Sequence, residues 1–160
     1  MVETCGVSGG RGPTCPRTGR ATKPVARWTV LNHVVPPEVP ETAFGFCDVP
    51  NCEVVYVGSD GTLFTKAALR TRVGLKERTD PIPICYCFSF TERQIAGDVR
   101  AHGHSTIRDY IQEQVRAGRC ACETTNPSGR CCLGDVAGVI ARSSDSRRMR
   151  RASRKRGTRS

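Results

Sequence analysis

The chain has 160 residues, with ten cysteines, five phenylalanines and one tryptophan, and a formal net charge of +10. That length suits one ordinary domain or two small ones, and the supply of large apolar side chains is thin, so metal ions or disulfides are expected as staples. No stretch is long and apolar enough to span a membrane and the N-terminus has no basic segment followed by an apolar run, which argues against a secreted disulfide scaffold and for a reducing cytoplasm, where clustered cysteines bind metal.

Residues 1–14 are rich in glycine, serine and threonine and read as a flexible leader. Residues 15–80 read as a small β-rich module. Its strands are expected at Trp28–Val35, ended by Pro36-Pro37, then at Phe44–Cys47 and Glu53–Val57 around a hairpin loop, and at Leu63-Phe64 after the turn Ser59-Asp60-Gly61-Thr62. Residues 76–84 read as a connector. Residues 81–141 form a second, helical module. Thr91-Glu92-Arg93-Gln94 has the pattern of a capping box, with Ile95 and Val99 on one face of the helix that follows, and Gly103 stops it. Ser105 caps a second helix carrying Ile107, Tyr110, Ile111 and Val115, ended at Gly118. Leu133 to Ile140 suggest a last short helix. The fold class is therefore α+β, with no internal repeat.

Charge is uneven along the chain. Residues 142–160 hold nine arginines and lysines against Asp145 alone, so the basic character belongs to a tail. Arginine and serine dominate it, and disorder is expected. Such a tail suits nucleic acid or anionic lipid, but no helix-turn-helix, zinc-finger helix or aromatic stacking set accompanies it. A solubilising terminus is the expected role, with an acidic partner next and nucleic acid as the remaining alternative.

The chemistry is carried by cysteine. Cys85-Tyr86-Cys87, Cys120-Ala121-Cys122 and Cys131-Cys132 present thiols in pairs from short loops, the pattern of an iron–sulfur cluster or a soft metal ion. The first pair is expected just before a helix start, where exposed N–H groups and the helix dipole suit an anionic 2Fe–2S centre. The turn Asn126-Pro127-Ser128-Gly129 brings the last pair back. Adjacent cysteines diverge, so one of Cys131 and Cys132 is expected to ligate; spacing alone does not choose between them, nor between Cys120 and Cys122. In the first module, Cys47-x4-Cys52 on a hairpin makes half of a zinc site.

These motifs, with Cys15-Pro16, Lys23-Pro24-Val25, Phe46-Cys47, Cys52-Glu53-Val54-Val55-Tyr56, Thr71-Arg72-Val73-Gly74-Leu75-Lys76-Glu77 and Asn126-Pro127-Ser128-Gly129-Arg130-Cys131-Cys132, resemble the N-terminal domain of CopZ-type copper chaperones over residues 14–136. That domain is related to the bacterioferritin-associated ferredoxin fold and belongs to iron–sulfur cluster-binding metallochaperones. The resemblance implies one 2Fe–2S cluster on Cys85, Cys87, Cys122 and Cys132, leaving Cys120 and Cys131 as spare thiols, and one zinc. It implies Cys15, Cys47 and Cys52 as zinc ligands. The family's Cys-Pro-x-Cys reads Cys15-Pro16-Arg17-Thr18 here, so the fourth ligand is left among Cys5, His33, Asp48 and water. The implied role is copper or other thiophilic-metal homeostasis, with the cluster as a one-electron centre, copper as cargo, and a redox protein or metal transporter as partner. Alternatives are a ferredoxin-like electron carrier and a zinc-stapled interaction or nucleic-acid-binding module.

The sequence contains no Cys-x-x-Cys, so the heavy-metal-associated domain that follows in such chaperones is expected to be missing. No catalytic triad, Walker loop or paired-carboxylate site stands out; Asp98, Asp109, Glu113 and Glu123 read as a solvated helix face, and an enzyme is not expected. His102-Gly103-His104 reads as a solvated turn.

Overall fold

The structure is a computed structural model describing residues 10–35 and 38–156. Strands β1 (Lys23–Val25), β2 (Phe44–Phe46), β3 (Val54–Gly58) and β4 (Leu63–Thr65) form one antiparallel sheet in chain order. Phe46 pairs with Tyr56 across β2 and β3. Strand β3 is buried along its whole length, as its β-branched and aromatic run allows. A register shift between Val54 and Tyr56 divides its side chains between two environments. Val55 and Tyr56 join the main core with Val25, Val30, Val34, Phe44, Phe46 and Phe64, whereas Val54 and Val57 pack against Cys15, Cys47 and Cys52.

Residues expected as a strand at Trp28–Val35 instead form helix α1 (Arg27–His33). Thr29, Val30 and His33 are buried, one helical face, while Trp28 remains 58% exposed. The β-branched Thr29 and Val30 favour a strand locally, and packing of that face overrides a preference of a few tenths of a kcal/mol (~0.5) per residue. Residues 1–9 of the expected leader lie outside the described residues. Its end is part of the fold: Gly12 N–H donates to Thr22 O, and Thr14 bridges Ala21.

The second module begins with a hairpin of β5 (Pro83–Cys85) and β6 (Phe90–Thr91). Helices α2 (Glu92–His102), α3 (Thr106–Arg116), α4 (Cys122–Thr125) and α5 (Leu133–Arg156) follow. The fold is α+β. Thr91 and Gln94 close the expected capping box, and Ser105 caps α3. Gly103 and Gly118 take left-handed φ values of 79° and 71° just past the helix ends, a conformation that suits glycine. Asp98, expected in a solvated face, instead accepts hydrogen bonds from Ser105 Oγ, Thr106 Oγ1 and Ile107 N and ties α2 to α3. Those donors hold its carboxyl below the usual carboxylate range despite burial. Ile95, Ile111, Val136 and Val139 form the second core, and Cys85, Cys122 and Cys132 belong to it.

Helix α5 corrects the expectation of a short helix and a tail disordered from residue 142. It continues to Arg156. Between Gly138 and Arg156 no glycine or proline interrupts it, alanine, arginine, lysine and methionine are good helix formers, and cations near its C-terminus suit the dipole. Residues 157–160 lie outside the described residues.

The modules meet where the first grips the loop between Cys122 and Cys131. Thr29 Oγ1 donates to Glu123 O. Asn32 Nδ2 and His33 Nε2 both lie 2.9 Å from Thr124 O, and Tyr56 Oη donates to Pro127 O at 2.5 Å. Burial pushes the Tyr56 phenol well above its usual pKa, so it remains a donor. Tyr56→Phe leaves the Pro127 carbonyl unpaired in a dry site and is expected to lower stability by about 1–3 kcal/mol in urea unfolding.

Candidate metal centre

Two separate groups of cysteine sulfurs come together, one in each module. In the first, Cys15 comes from a turn in which Cys15 N–H donates to Arg20 O and Gly19 N–H donates to Cys15 O. Cys47 and Cys52 lie at the two ends of the loop joining β2 to β3. The three sulfurs are buried and lie within 4.8 Å of one another. Cys15 Sγ and Cys52 Sγ are 3.9 Å apart. A tetrahedral ion with bonds of about 2.3 Å to sulfur sets its ligands about 3.8 Å apart, so the group fits zinc.

Backbone N–H groups face these sulfurs. Burial raises the Cys15 thiol, but the Thr18 hydroxyl and the Thr18 and Arg17 amides outweigh it and bring its pKa down to about 7. Burial pushes Cys47 up to about 11, against a hydrogen bond from the Val49 amide and the charge of Lys76. Thr18 therefore stands beside Cys15 Sγ, where the cysteine of a Cys-Pro-x-Cys turn would project. His33 does not reach the group: its ring is held between Thr71 Oγ1, at 2.7 Å, and Thr124 O. It is a clasp residue, and α1 being a helix carries it there. Asp48 is exposed, and Cys5 lies outside the described residues.

Sequence reasoning missed Lys76. It is 4% exposed, and its Nζ donates to Val49 O at 2.8 Å and Cys52 O at 3.1 Å. Burial lowers its pKa, but the neighbouring Cys47, Cys52 and Cys15 favour its charged form. A buried ammonium opposite three thiols offsets the charge they acquire as thiolates. The local sequence held no clear signal, since Lys76 follows the run Val73-Gly74-Leu75 but stands beside Glu77 and Arg78 as one charge among several.

In the second module, Cys85 ends β5 and Cys87 sits on the β5–β6 hairpin loop, with β6 between them and α2. The helix start expected immediately after them is therefore displaced by a strand. Cys87 Sγ lies 3.5 Å from Cys122 Sγ, and it accepts from Ala121 N–H at 3.2 Å with Thr125 Oγ1 at 3.0 Å. The Cys132 thiol interacts with those of Cys122 and Cys85. Cys87 is thus linked to Cys122, and both Cys122 and Cys85 to Cys132. The amides of Phe88 and Cys87 face Cys85, and the amide of Cys132 faces Cys122. Cys132, assisted by the Cys132 amide, Cys87 and Cys131 and opposed by burial, brings Cys122 down to about 6. Cys85 is lowered and Cys132 raised by the same shared proton. Of the two pairs Cys120/Cys122 and Cys131/Cys132, Cys122 and Cys132 are buried while Cys120 and Cys131 are half-buried, with Cys131 also interacting with Cys122. His102 and His104 are exposed at the α2–α3 turn, their rings 6.3 Å apart.

The fold and its buried group of Cys15, Cys47 and Cys52 define a protein with a candidate cysteine-based metal site, in a small sheet module clasped to a helical one. Residues 12–70 match the family model described as a zinc binding domain of CopZ. The chain is 43% identical over 90 residues to "Copper chaperone CopZ" of Archaeoglobus fulgidus, an alignment covering 56% of this chain and 42% of that relative. The chain thus spans less than half the length of the curated relative it matches. It is also similar to the X-ray structure of the Archaeoglobus fulgidus CopZ N-terminal domain, with TM-score 0.63 and 35% identity, covering 79% of this chain and 97% of that one. Residues 12–70 are therefore a CopZ-type zinc-binding domain, and the chain is built like a CopZ N-terminal domain. Among the described residues no helix is long and apolar enough to cross a membrane.

Burial lowers the pKa of His33 from 6.5, partly offset by its bond to Thr124 O. The native state then binds fewer protons than the unfolded chain, so this contribution to stability is intact above pH 6.5 and declines as pH falls from there toward the native pKa. Urea midpoints measured between pH 7.5 and 5.5 (about two units, spanning the ordinary histidine range) should fall more steeply for the wild type than for His33→Gln.

Proposed function

We propose that the chain is a metallochaperone-like protein of thiophilic-metal homeostasis, copper foremost, acting in a reducing cytoplasm and without enzymatic turnover. Zinc is held by Cys15, Cys47 and Cys52 in a module spanning residues 15–80, with Cys5 or a water completing four ligands. A 2Fe–2S cluster is held by Cys85, Cys87, Cys122 and Cys132 in a helical module of the bacterioferritin-associated ferredoxin kind, spanning residues 81–141. The observation that carries this reading is the pair of separate sulfur groups, each met by backbone amides, in a chain with a CopZ-type zinc-binding domain.

The donor chemistry supports both assignments. Three buried sulfurs at near-tetrahedral separation and a lysine ammonium make a compact, charge-compensated zinc site. Four linked thiols met by backbone amides, Cys85, Cys87, Cys122 and Cys132, would supply the four thiolates that a 2Fe–2S centre takes. When bound, such a cluster supplies one-electron redox chemistry. The protein's part is to aim the Ala121, Phe88, Cys87 and Cys132 amides at the sulfurs, hydrogen bonds that raise a cluster's potential. Half-buried Cys131, which interacts with Cys122, and half-buried Cys120 offer thiols to a cargo ion, which favours metal carriage over electron transfer alone.

Anaerobically purified protein should be brown and contain about two iron, two sulfide and one zinc per chain. Cys85→Ser and Cys122→Ser should each abolish the visible cluster absorbance, and a normal spectrum in both would sink the iron–sulfur assignment. Anaerobic Cu(I) titration should show binding beyond background; its absence would leave an electron carrier. Thr18→Cys supplies a fourth thiolate and should tighten zinc binding at least tenfold in chelator competition, about 1.4 kcal/mol or more.

A further inference from the structure

The second half of α5 and the end of α2 enclose a groove of about 520 Å³ in which Arg100, Arg142, Arg147, Arg150, Arg151 and Arg154 converge. All six are exposed. Glu92 is the one acidic residue lining it, 3.9 Å from Arg142. Arg147 reaches across to α2, its guanidinium against Gly103 at that helix's C-terminal end. Four of the six follow helical spacing along α5, and Arg147–Arg151 and Arg150–Arg154 are like-charge pairs one turn apart, each unfavourable by itself. From residue 145 onward α5 is exposed on every side. A helix that is polar on every side and carries this many cations gains from an external anionic partner.

We propose that this groove binds the phosphate backbone of duplex nucleic acid, without reading its sequence. The charges are almost all arginine, whose planar fork pairs with phosphate through two hydrogen bonds. From Arg142 to Arg154 the helix runs about 18 Å, the axial length of about five phosphates along one strand. An anionic membrane fits less well. From Ser143 to Arg156 the only apolar side chains of α5 are Met149 and Ala152, too few for the face that an interfacial helix buries. The surface is also concave, and Arg100 on a different helix contributes to it. The partner is thus recognised by a folded groove and not merely by a charged terminus.

The test is fluorescence anisotropy of the full chain with a mixed-sequence duplex DNA of about 20 base pairs at several salt concentrations. Affinity should fall with a log–log salt slope of about −4 to −5, for about five phosphates neutralised. Arg100→Gln, on the body of the protein, should weaken binding and reduce the slope by about 1. Ser146→Pro keeps every charge but breaks the helix; it should weaken binding at least tenfold, about 1.4 kcal/mol, with the thiol groups undisturbed. Equal affinity for the wild type, Arg100→Gln and Ser146→Pro would overturn the groove. So would binding to phosphatidylserine vesicles without binding to DNA, which would make the surface a membrane contact.

Discussion

The loop that carries the chain from Cys122 to Cys131 depends on a clasp made by the first module. The loop between Cys122 and Cys131 contains one four-residue helix and the turn Asn126-Pro127-Ser128-Gly129, too little regular structure to hold its own shape. Its carbonyls at Glu123, Thr124 and Pro127 are taken up by Thr29, Asn32, His33 and Tyr56. Each of these bonds contributes about 1 kcal/mol; Thr124 O receives two of them, and losing the bond from Tyr56 would leave the buried Pro127 carbonyl unpaired. Asn126 closes the loop internally, with its Nδ2 on Arg130 O and its Oδ1 receiving Ser128 N–H and Oγ–H. Placing Cys122 beside Cys132 is thus the work of residues about ninety positions earlier in the chain.

The composition explains why cysteine carries so much of this architecture. Both cores are small and built mainly of valine and isoleucine, and the second counts Cys85, Cys122 and Cys132 among its buried members. Small domains gain little from burial alone, so thiols that bind metal would act as packing and as cross-links at once. Electrostatics follows from the same economy. Sulfurs placed close together repel as thiolates, and the fold answers with amides aimed at them, with a shared proton on Cys132, and with the Lys76 ammonium over the first group. Removing a buried charge of this kind costs more than its direct bonds suggest, because its partners remain.

Much of the chain was legible as sequence. The hairpins around Phe44–Cys47 and Leu63-Phe64, the capping box at Thr91, the stops at Gly103 and Gly118, and the grouping of cysteines into two sets follow from local rules of turn, cap and period. Those rules act over a few residues and do not depend on the rest of the fold. They failed at Trp28–Val35, where β-branched residues suggested a strand and packing required a helix, and beyond Arg142, where a composition read as disordered forms the end of α5.

The sequence by itself determined the kind of chemistry present, because thiol softness belongs to the residue and the pairing of cysteines belongs to the local chain. Only the tertiary structure decided which sulfurs meet, which thiols of each adjacent pair face the core, and that Lys76 lies over the first group. It also decided that His33 clasps Thr124 instead of joining a metal site, and that six arginines from two helices share one groove. The physical reason is range. Backbone propensity and ligand chemistry are properties of a few neighbouring residues, whereas proximity between distant residues exists only once the packed chain has set their separation and excluded water between them.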